Sequence, residues 1–426
     1  MLLTVKTKNK HNCFGGKGLK ALVLAGGLPQ IALLEDLKKR GITTVLADYF
    51  ENPVAKPYAD IFYQESTLDI PAITRVAKQE QVDFLITVCT DQALLTVAKV
   101  SQELGLPCYI DYQTALNVTN KSYMKEIFKL KDISTAKFEV MASLDFEKIK
   151  ELSYPLIVKP VDCNSSKGVK KVENASELEM AFENAVKLSR TGTAIVEEFI
   201  DGPELSVDVY VENGVAKLLS VSQLDKIPEK DKFVIFRSKA PENMSAELEA
   251  QITETAQKIA DAFNLKNSPM LIQMISNGNK GYVLEFSART GGGEKFIMIE
   301  KVSGFDVIGA VVDLTLGNFP KVRKERPTKK LFATEFIYCK PGIFERLENF
   351  DLLKEQGVIS DYYCFKSKGS EFDTVENSGD RIAGFSIIGE TAEEINQKHK
   401  VALEKLAVID SRGEDMMRRD LLPLVY

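Results

Sequence analysis

Histidine is nearly absent from the chain: His11 and His399 are the two in 426 residues. Neither has the neighbours that a histidine-based triad or metal site requires. Six cysteines, at positions 13, 89, 108, 163, 339 and 364, are scattered with no C-x-x-C pair. That pattern argues against a zinc site and a disulfide framework, and it suits a reducing compartment. No apolar run reaches the ~18 residues of a membrane span. Residues 1–18 carry lysines without an apolar core of signal-peptide length and read as a tail. Charge of neither sign is blocked: 55 Lys and Arg against 61 Asp and Glu give a net −6. A nucleic-acid or membrane-surface footprint is therefore not expected. Internal repeats and low-complexity segments are also missing. What remains is a cytoplasmic globular protein, long enough for roughly two to four domains.

Residues 20–48 read as strand, glycine turn, helix, strand. The run from Ala21 to Ala25 is apolar throughout, as a parallel strand buried on both faces would be. Gly26-Gly27 makes the turn, and Ile31, Leu33, Leu34 and Leu37 form one helical face. Asp48 lies ~20 residues beyond the glycines, as in a dinucleotide fingerprint, but the G-x-G-x-x-G spacing is missing. A second unit follows, with a strand over 84–88 and a helix over 91–104. Together these predict a small open α/β domain over residues 19–115.

Residues 116–150 read as helical and lysine-rich. Strands are expected over 154–160 and 169–172, and Ser176 with Glu179 suggests a capping box for a helix ending near Leu188. The loop between those strands, Asp162-Cys163-Asn164-Ser165-Ser166-Lys167-Gly168, is either a hairpin tip or a row of backbone N–H donors facing an anion. Lys159 ends an apolar strand and is pinned by Pro160, a poor place for mere solvation. The segment 194–204 then carries Glu197, Glu198 and Glu204 beside an apolar strand. Those acids suit a protected sheet edge, or hydroxyl and amino groups of a ligand. A hairpin turns at Asn213-Gly214. Residues 223–241, broken by Pro228 and Pro241, read as a long functional loop. A helix over 247–263 precedes a hairpin of strands 270–275 and 282–287, which lets side chains of Gln273 and Glu285 meet across the ladder. In Glu285-Phe286-Ser287-Ala288-Arg289 the alternate residues share one face. An acid beside an arginine there is either a salt bridge or a metal ligand next to a phosphate-neutralising cation. Residues 321–426 predict a further unit, with strands over 331–338 and 382–388 and a helix over 391–406.

Taken in order, these motifs resemble the ATP-grasp superfamily over residues ~19–320, near its carboxylate–amine ligase and carbamoyl-phosphate synthetase-like branch. The resemblance implies an α/β fold, α+β in the ATP-binding part, with an N-terminal open parallel α/β domain (19–115), an ATP-grasp domain (116–320) with a mobile lid at about 130–200, and a C-terminal α/β domain (321–426). It implies ATP and one or two Mg²⁺, or Mn²⁺, as cofactors. By the same resemblance Lys121 and Lys159 bind phosphates, and Ser165, Ser166, Lys167 and Gly168 form the flexible phosphate loop. Glu197, Glu198, Phe199 and Ile200 hold adenine, the last two through backbone groups, and Glu204 holds the ribose. Gln273, Glu285 and Ser287 are the metal positions and Arg289, with Lys159, acts on the transferred phosphate. Serine departs from the Glu-x-Asn-x-Arg pattern at 287, which bears on the number of metals.

The implied activity is an ADP-forming ligase that activates a small carboxylate, an amino acid or other small acid, as an acyl phosphate and joins it to an amine or thiol. An enzyme acting on bicarbonate, or a nucleotide-binding regulator without turnover, are the alternatives. Arg237 and Lys295 are the expected carboxylate contacts, and a homodimer is the family-level expectation.

Overall fold

The computed structural model describes residues 18–163, 167–227, 233–241, 244–323 and 331–426. At the N-terminus four parallel strands lie in the order Ile61–Gln64, Thr43–Asp48, Lys20–Leu24, Phe84–Ile86. Ala21 to Leu24 are wholly buried, because helix Leu28–Lys39 packs its Leu33, Leu34 and Leu37 on one face while Val97 and Val100 of helix Asp91–Leu104 cover the other. A strand covered on both sides has no place for alternation, hence the unbroken apolar run. Asp48 serves this turn: its carboxylate accepts from the backbone N–H of Gly26 at 2.6 Å and of Phe50 at 2.8 Å. The dinucleotide reading of Asp48 therefore falls away, since both carboxylate oxygens hold the chain's own turns.

Residues 116–150 are less helical than expected. Helices Tyr112–Thr119 and Lys121–Leu130 are followed by strand Phe138–Met141. That strand joins Ala194–Glu198, Leu156–Pro160 and Lys170–Val172 in a separate four-stranded antiparallel sheet. Helix Ala175–Leu188 covers it with Leu178, Phe182 and Ala185. Its N-cap is Asn174, whose side chain accepts from Glu177 N, and not Ser176. Asparagine caps as well as serine, so the nearer motif won two residues upstream.

The largest element is an eight-stranded antiparallel sheet. Its order is Lys280–Ser287, Ser268–Asn277, Glu204–Glu212, Val215–Lys226, Ile235–Lys239, Leu331–Ile337, Ala383–Gly389, Asp361–Cys364. Much of the expected loop 223–241 is therefore strand. The sheet also runs without a break across position 320. Helix Ala246–Ala262 lays Leu248, Ile252, Ala256 and Ile259 on its first strands, where Phe128, Phe263 and Phe286 pack ring against ring. The far strands have their own core, around Phe336, Phe385 and Ile395. His399 is buried there beside Phe385, and burial pushes its pKa down to about 3. The two cores share one sheet, and the small sheet and the large one leave a cleft between them.

Candidate active site

That cleft, with about 940 Å³ of empty space counted out to solvent, is walled by the small sheet on one side and the first strands of the large sheet on the other. Lys121, Lys159, Lys167, Glu197, Glu198, Phe199, Ile200, Glu204, Gln273 and Glu285 all line it. Ile157 and Val169 face Ile275, Tyr282 and Leu284 across it, so one end is an apolar slot. Flat apolar walls with a few polar groups at the rim suit a planar heterocycle.

The polar groups are ordered by the strands that carry them. Ile157 sits opposite Glu197 in the ladder, which brings Lys159, one alternate position along, to the Glu197 carboxylate. Lys125 Nζ approaches the other carboxylate oxygen at 2.9 Å. Burial alone would raise the pKa of Glu197; the two ammonium groups outweigh it and hold it down at about 2. Its carboxylate is thus a fixed anchor between helix Lys121–Leu130 and the small sheet. Both oxygens of the Glu197 side chain, expected at an adenine amino group, face lysines. The Phe199 N–H is likewise committed, donating to Pro155 O at 3.0 Å. Of the expected backbone pair, the Ile200 amide keeps its role open.

Gly202 shows why the segment after these residues contains a glycine. Its φ is +145°, and a Cβ there would lie 1.9 Å from the backbone oxygen of Ser276. With Ser276 N donating to Pro203 O at 3.0 Å, this close approach staples the segment to the hairpin and sets Glu204 at the cleft. Glu204 accepts from Gln273 Nε2 at 3.0 Å and pairs with Lys226 at 2.8 Å.

Gln273 and Glu285 are register partners, as expected from the hairpin. The Gln273 amide nitrogen is spent on Glu204, which turns its carbonyl oxygen toward other partners. Glu285 pairs with Lys121 at 2.9 Å, and Lys121 also donates to Cys163 O at 2.9 Å. Burial opposes the charge on Lys121, but Glu285 outweighs it and the net shift is upward. An amide oxygen and a carboxylate are hard donors that fit Mg²⁺ with water in its remaining positions. Among the described residues no group of three or more His, Cys, Asp and Glu side chains could hold a metal.

Ser287 and Arg289 lie in an adjoining recess shared with Lys121, Gln273 and Glu285. Both are held by Asp91, the first residue of helix Asp91–Leu104. Arg289 donates from Nε to Oδ1 at 2.8 Å and from a terminal nitrogen to Oδ2 at 2.6 Å, a bidentate pair. The Ser287 hydroxyl donates to Asp91 Oδ1. Burial opposes ionisation of both partners; nonetheless their attraction lowers the Asp91 pKa and raises that of Arg289. Of the expected metal positions, Ser287 has its hydroxyl proton committed to a carboxylate that also fixes Arg289.

Other expectations resolve differently. Gly168 has φ +76° and packs on Pro160 and Leu188, so it shapes the loop base. Ser165 and Ser166 lie outside the described residues, as does Asn164. Arg237 is a buried strand residue that pairs with Glu335 and donates to the carbonyls of Pro423 and Leu424, away from the cleft. Lys295 is enclosed by Ser206 (2.6 Å), Ser222 (2.8 Å) and Asp208 (3.0 Å). Neither is a free carboxylate contact. Three cleft residues were missed: Asp91, Lys125 and Lys226. Lys125 sits one turn from Lys121 on the same helix face, and Lys226 ends a strand two residues before Pro228, much as Lys159 precedes Pro160; both signals were readable. An acid opening a helix, as Asp91 does, is too ordinary to stand out.

Residues 152–296 match the ATP-grasp domain family. Among curated relatives, a D-alanine–D-alanine ligase of Cupriavidus pinatubonensis is 30% identical over 183 residues, 40% of this chain and 54% of the relative. The chain thus spans little more than half the length of that relative. Two solved structures extend the likeness in fold. The L-amino acid ligase of Bacillus licheniformis gives a TM-score of 0.76 at 18% identity, covering 93% of this chain and 100% of that one. The biotin carboxylase domain dimer of Hydrogenobacter thermophilus 2-oxoglutarate carboxylase, solved with MgADP and bicarbonate, gives 0.75 at 18%, covering 91% and 90%. No helix among the described residues is long and apolar enough to cross a membrane.

Proposed function

We propose that the protein is an ATP-dependent, ADP-forming ligase that activates a small carboxylate as an acyl phosphate and joins it to an amine or thiol. The observation that carries this is the convergence of Lys121, Lys159, Lys226, Gln273, Glu285 and the Asp91-held Arg289 around one cleft with an apolar slot at its end. Phosphoryl transfer needs a held triphosphate and neutralised oxygens more than it needs a covalent nucleophile. The apolar slot takes the purine, the Ile200 amide its ring edge, and Glu204 the ribose. Gln273 and Glu285 are the residues to hold Mg²⁺, or Mn²⁺, which when bound would neutralise charge on the phosphates. Lys121 exchanges Glu285 for a phosphate oxygen as nucleotide enters. Arg289, already fixed by Asp91, orients the transferred group. The substrate carboxylate oxygen forms the new bond to phosphorus as the bond to ADP breaks. The amine then bonds to the acyl carbon and inorganic phosphate leaves.

The small sheet acts as the lid in this reading, closing over the phosphates and keeping water from the acyl phosphate. A cytoplasmic homodimer completes the reading; its support is the dimer of the biotin carboxylase domain named above. The likeness to that bicarbonate-bound domain also favours one second reading, activation of bicarbonate in place of a larger acid. An ADP-release assay over a matrix of carboxylates and amines tests both. Ligation requires ADP only when acid and amine are present together. ADP formation dependent on bicarbonate alone would replace the first reading with the second, and nucleotide binding without ADP from any mixture would sink both.

A further inference from the structure

Lys295 opens helix Lys295–Ser303, and the helix itself gives no reason for a lysine there. A cation at this end opposes the positive pole of the helix dipole. The side chain turns inward, with 12% of it exposed, and its ammonium donates to Ser206 Oγ at 2.6 Å, Ser222 Oγ at 2.8 Å and Asp208 Oδ2 at 3.0 Å. The three acceptor residues are no more than 3% exposed. An ammonium has three donors, and here each meets a buried oxygen.

The strand register shows where this cluster sits. Directly opposed residues of neighbouring strands share a face of the sheet. Ser206 opposes Ser222 on one side and Gln273 on the other, and Gln273 opposes Glu285. Asp208 opposes Leu271, which opposes Ser287. Lys295 is therefore anchored on the face of the large sheet that carries Gln273 and Glu285, and in the same cross-strand row. Neighbouring strands lie ~4.8 Å apart, so Ser206 is one such step from Gln273.

The stem of the lysine props the loop that follows Arg289. A Cβ on Gly291 would lie 2.7 Å from Lys295 Cδ and 3.2 Å from Asp208 Oδ1. Glycine is needed at 291 for this approach, because the loop backbone rests directly on the lysine and the carboxylate. The other Asp208 oxygen is shared between Lys295 and the Ser220 hydroxyl, which donates to it at 2.8 Å. One residue before Gly291, the Thr290 carbonyl accepts from a terminal nitrogen of Arg289 at 2.8 Å. Arg289 is thus braced from two sides, by the Asp91 carboxylate and by a peptide that lies on Lys295.

We propose that Lys295 is a positioning residue for phosphoryl transfer. It fixes the loop 290–293, and with it the Arg289 guanidinium, against the row Glu285, Gln273, Ser206 and Ser222. An ion pair with Asp208 alone would tie the helix to the sheet; the contact with Gly291 carries that tie to the loop beside the reacting phosphate. The role rests on the ligase reading for its chemistry, whereas the brace does not.

The full chain carrying Lys295→Met together with Asp208→Asn tests it, the second change removing the carboxylate that the first would leave buried and unpaired. With an acid–amine pair that supports ADP release, kcat should fall at least ~10-fold while ADP affinity, measured by calorimetry with Mg²⁺, stays within about threefold. Hydrogen exchange read by mass spectrometry should quicken over 289–295 and stay unchanged over 194–200. A second pair of variants does not need that double change to fold. Gly291→Ala should lower kcat, and should lower it less in a Lys295→Ala background, where the missing stem leaves room for the methyl. Unchanged kcat, an equal loss of kcat and ADP affinity, unaltered exchange over 289–295, or additive effects of Gly291→Ala and Lys295→Ala would each overturn the proposal. If the unmodified chain releases ADP with no acid–amine pair, the ligase reading falls, and the exchange measurement still decides whether the brace exists.

Discussion

Lys121 and Glu285 neutralise each other at 2.9 Å, so the cation proposed for a phosphate and the carboxylate proposed for the metal hold one another in place. Removing either frees the other. Glu285→Ala should therefore lower kcat by at least ~10²-fold at any substrate concentration, since a cation opposite the phosphates supplies transition-state charge that saturation cannot replace. Near-normal rates for this variant would show that the metal assignment is wrong. Asp91 makes a different prediction. It touches no nucleotide in the proposed arrangement and acts by fixing Arg289, so Asp91→Asn should reduce kcat roughly 10- to 100-fold with little change in the KM for ATP. A change confined to KM would assign Asp91 to binding instead. The alternating Glu285, Ser287 and Arg289 were legible because a strand's period of two needs no tertiary knowledge. Their common partner was not, because Asp91 lies 198 residues from Arg289 in sequence and meets it only after two domains dock.

Glu197 links two elements, the small sheet that carries it and the helix Lys121–Leu130 that carries Lys125. Its folded pKa of about 2 lies below the ordinary carboxylate value, so the stability it contributes is present above about pH 4.5 and is lost as pH falls toward 2. The size of that contribution is roughly 3 kcal/mol. Glu197→Gln should flatten this stretch of the acid-unfolding curve and, by leaving two lysines uncompensated, cost about 3–5 kcal/mol at neutral pH. An unaltered acid slope in the variant would remove Glu197 from this role. The segment Gly202–Glu204 is similarly specific. Gly202→Ala must displace the Ser276 carbonyl and should cost roughly 2–3 kcal/mol, read as a lower Tm together with a higher KM for ATP. Elements of this kind were readable from the sequence where period or punctuation was local, as in the Asn213-Gly214 hairpin. The strand Ile235–Lys239 was not. It reads as polar because Arg237 and Lys239 are charged, yet both are buried against Glu335 and the carbonyls of Pro423, Leu424 and Val425. Tertiary partners that distant override local strand propensity.

The eight-stranded sheet gives the whole molecule a cooperativity that its domain-like sequence pattern conceals. Strand Ile235–Lys239 takes one set of ladder bonds from Val215–Lys226 and the other from Leu331–Ile337, so the ATP-binding part and the C-terminal unit share an internal edge. Arg237 crosses that edge to Glu335, a side chain with no exposure. Cutting the chain at residue 323 would leave the strand unpaired on one side and Arg237 with Asp225 alone, without Glu335 and the carbonyls of Pro423 and Leu424. An unpaired edge recruits other chains, and an uncompensated buried charge costs several kcal/mol. A fragment of residues 1–323 should therefore aggregate or lose nucleotide binding. Sedimentation velocity with an ATP-binding measurement decides this, and a monomeric fragment that binds ATP as the full chain does would refute it. Calorimetry of the intact protein offers the complementary result: the large sheet should unfold in one transition spanning both cores, with the small sheet free to melt earlier because it shares no ladder with the large one and is tied to the rest through side chains such as the Glu197 anchor and the Lys121–Cys163 hydrogen bond.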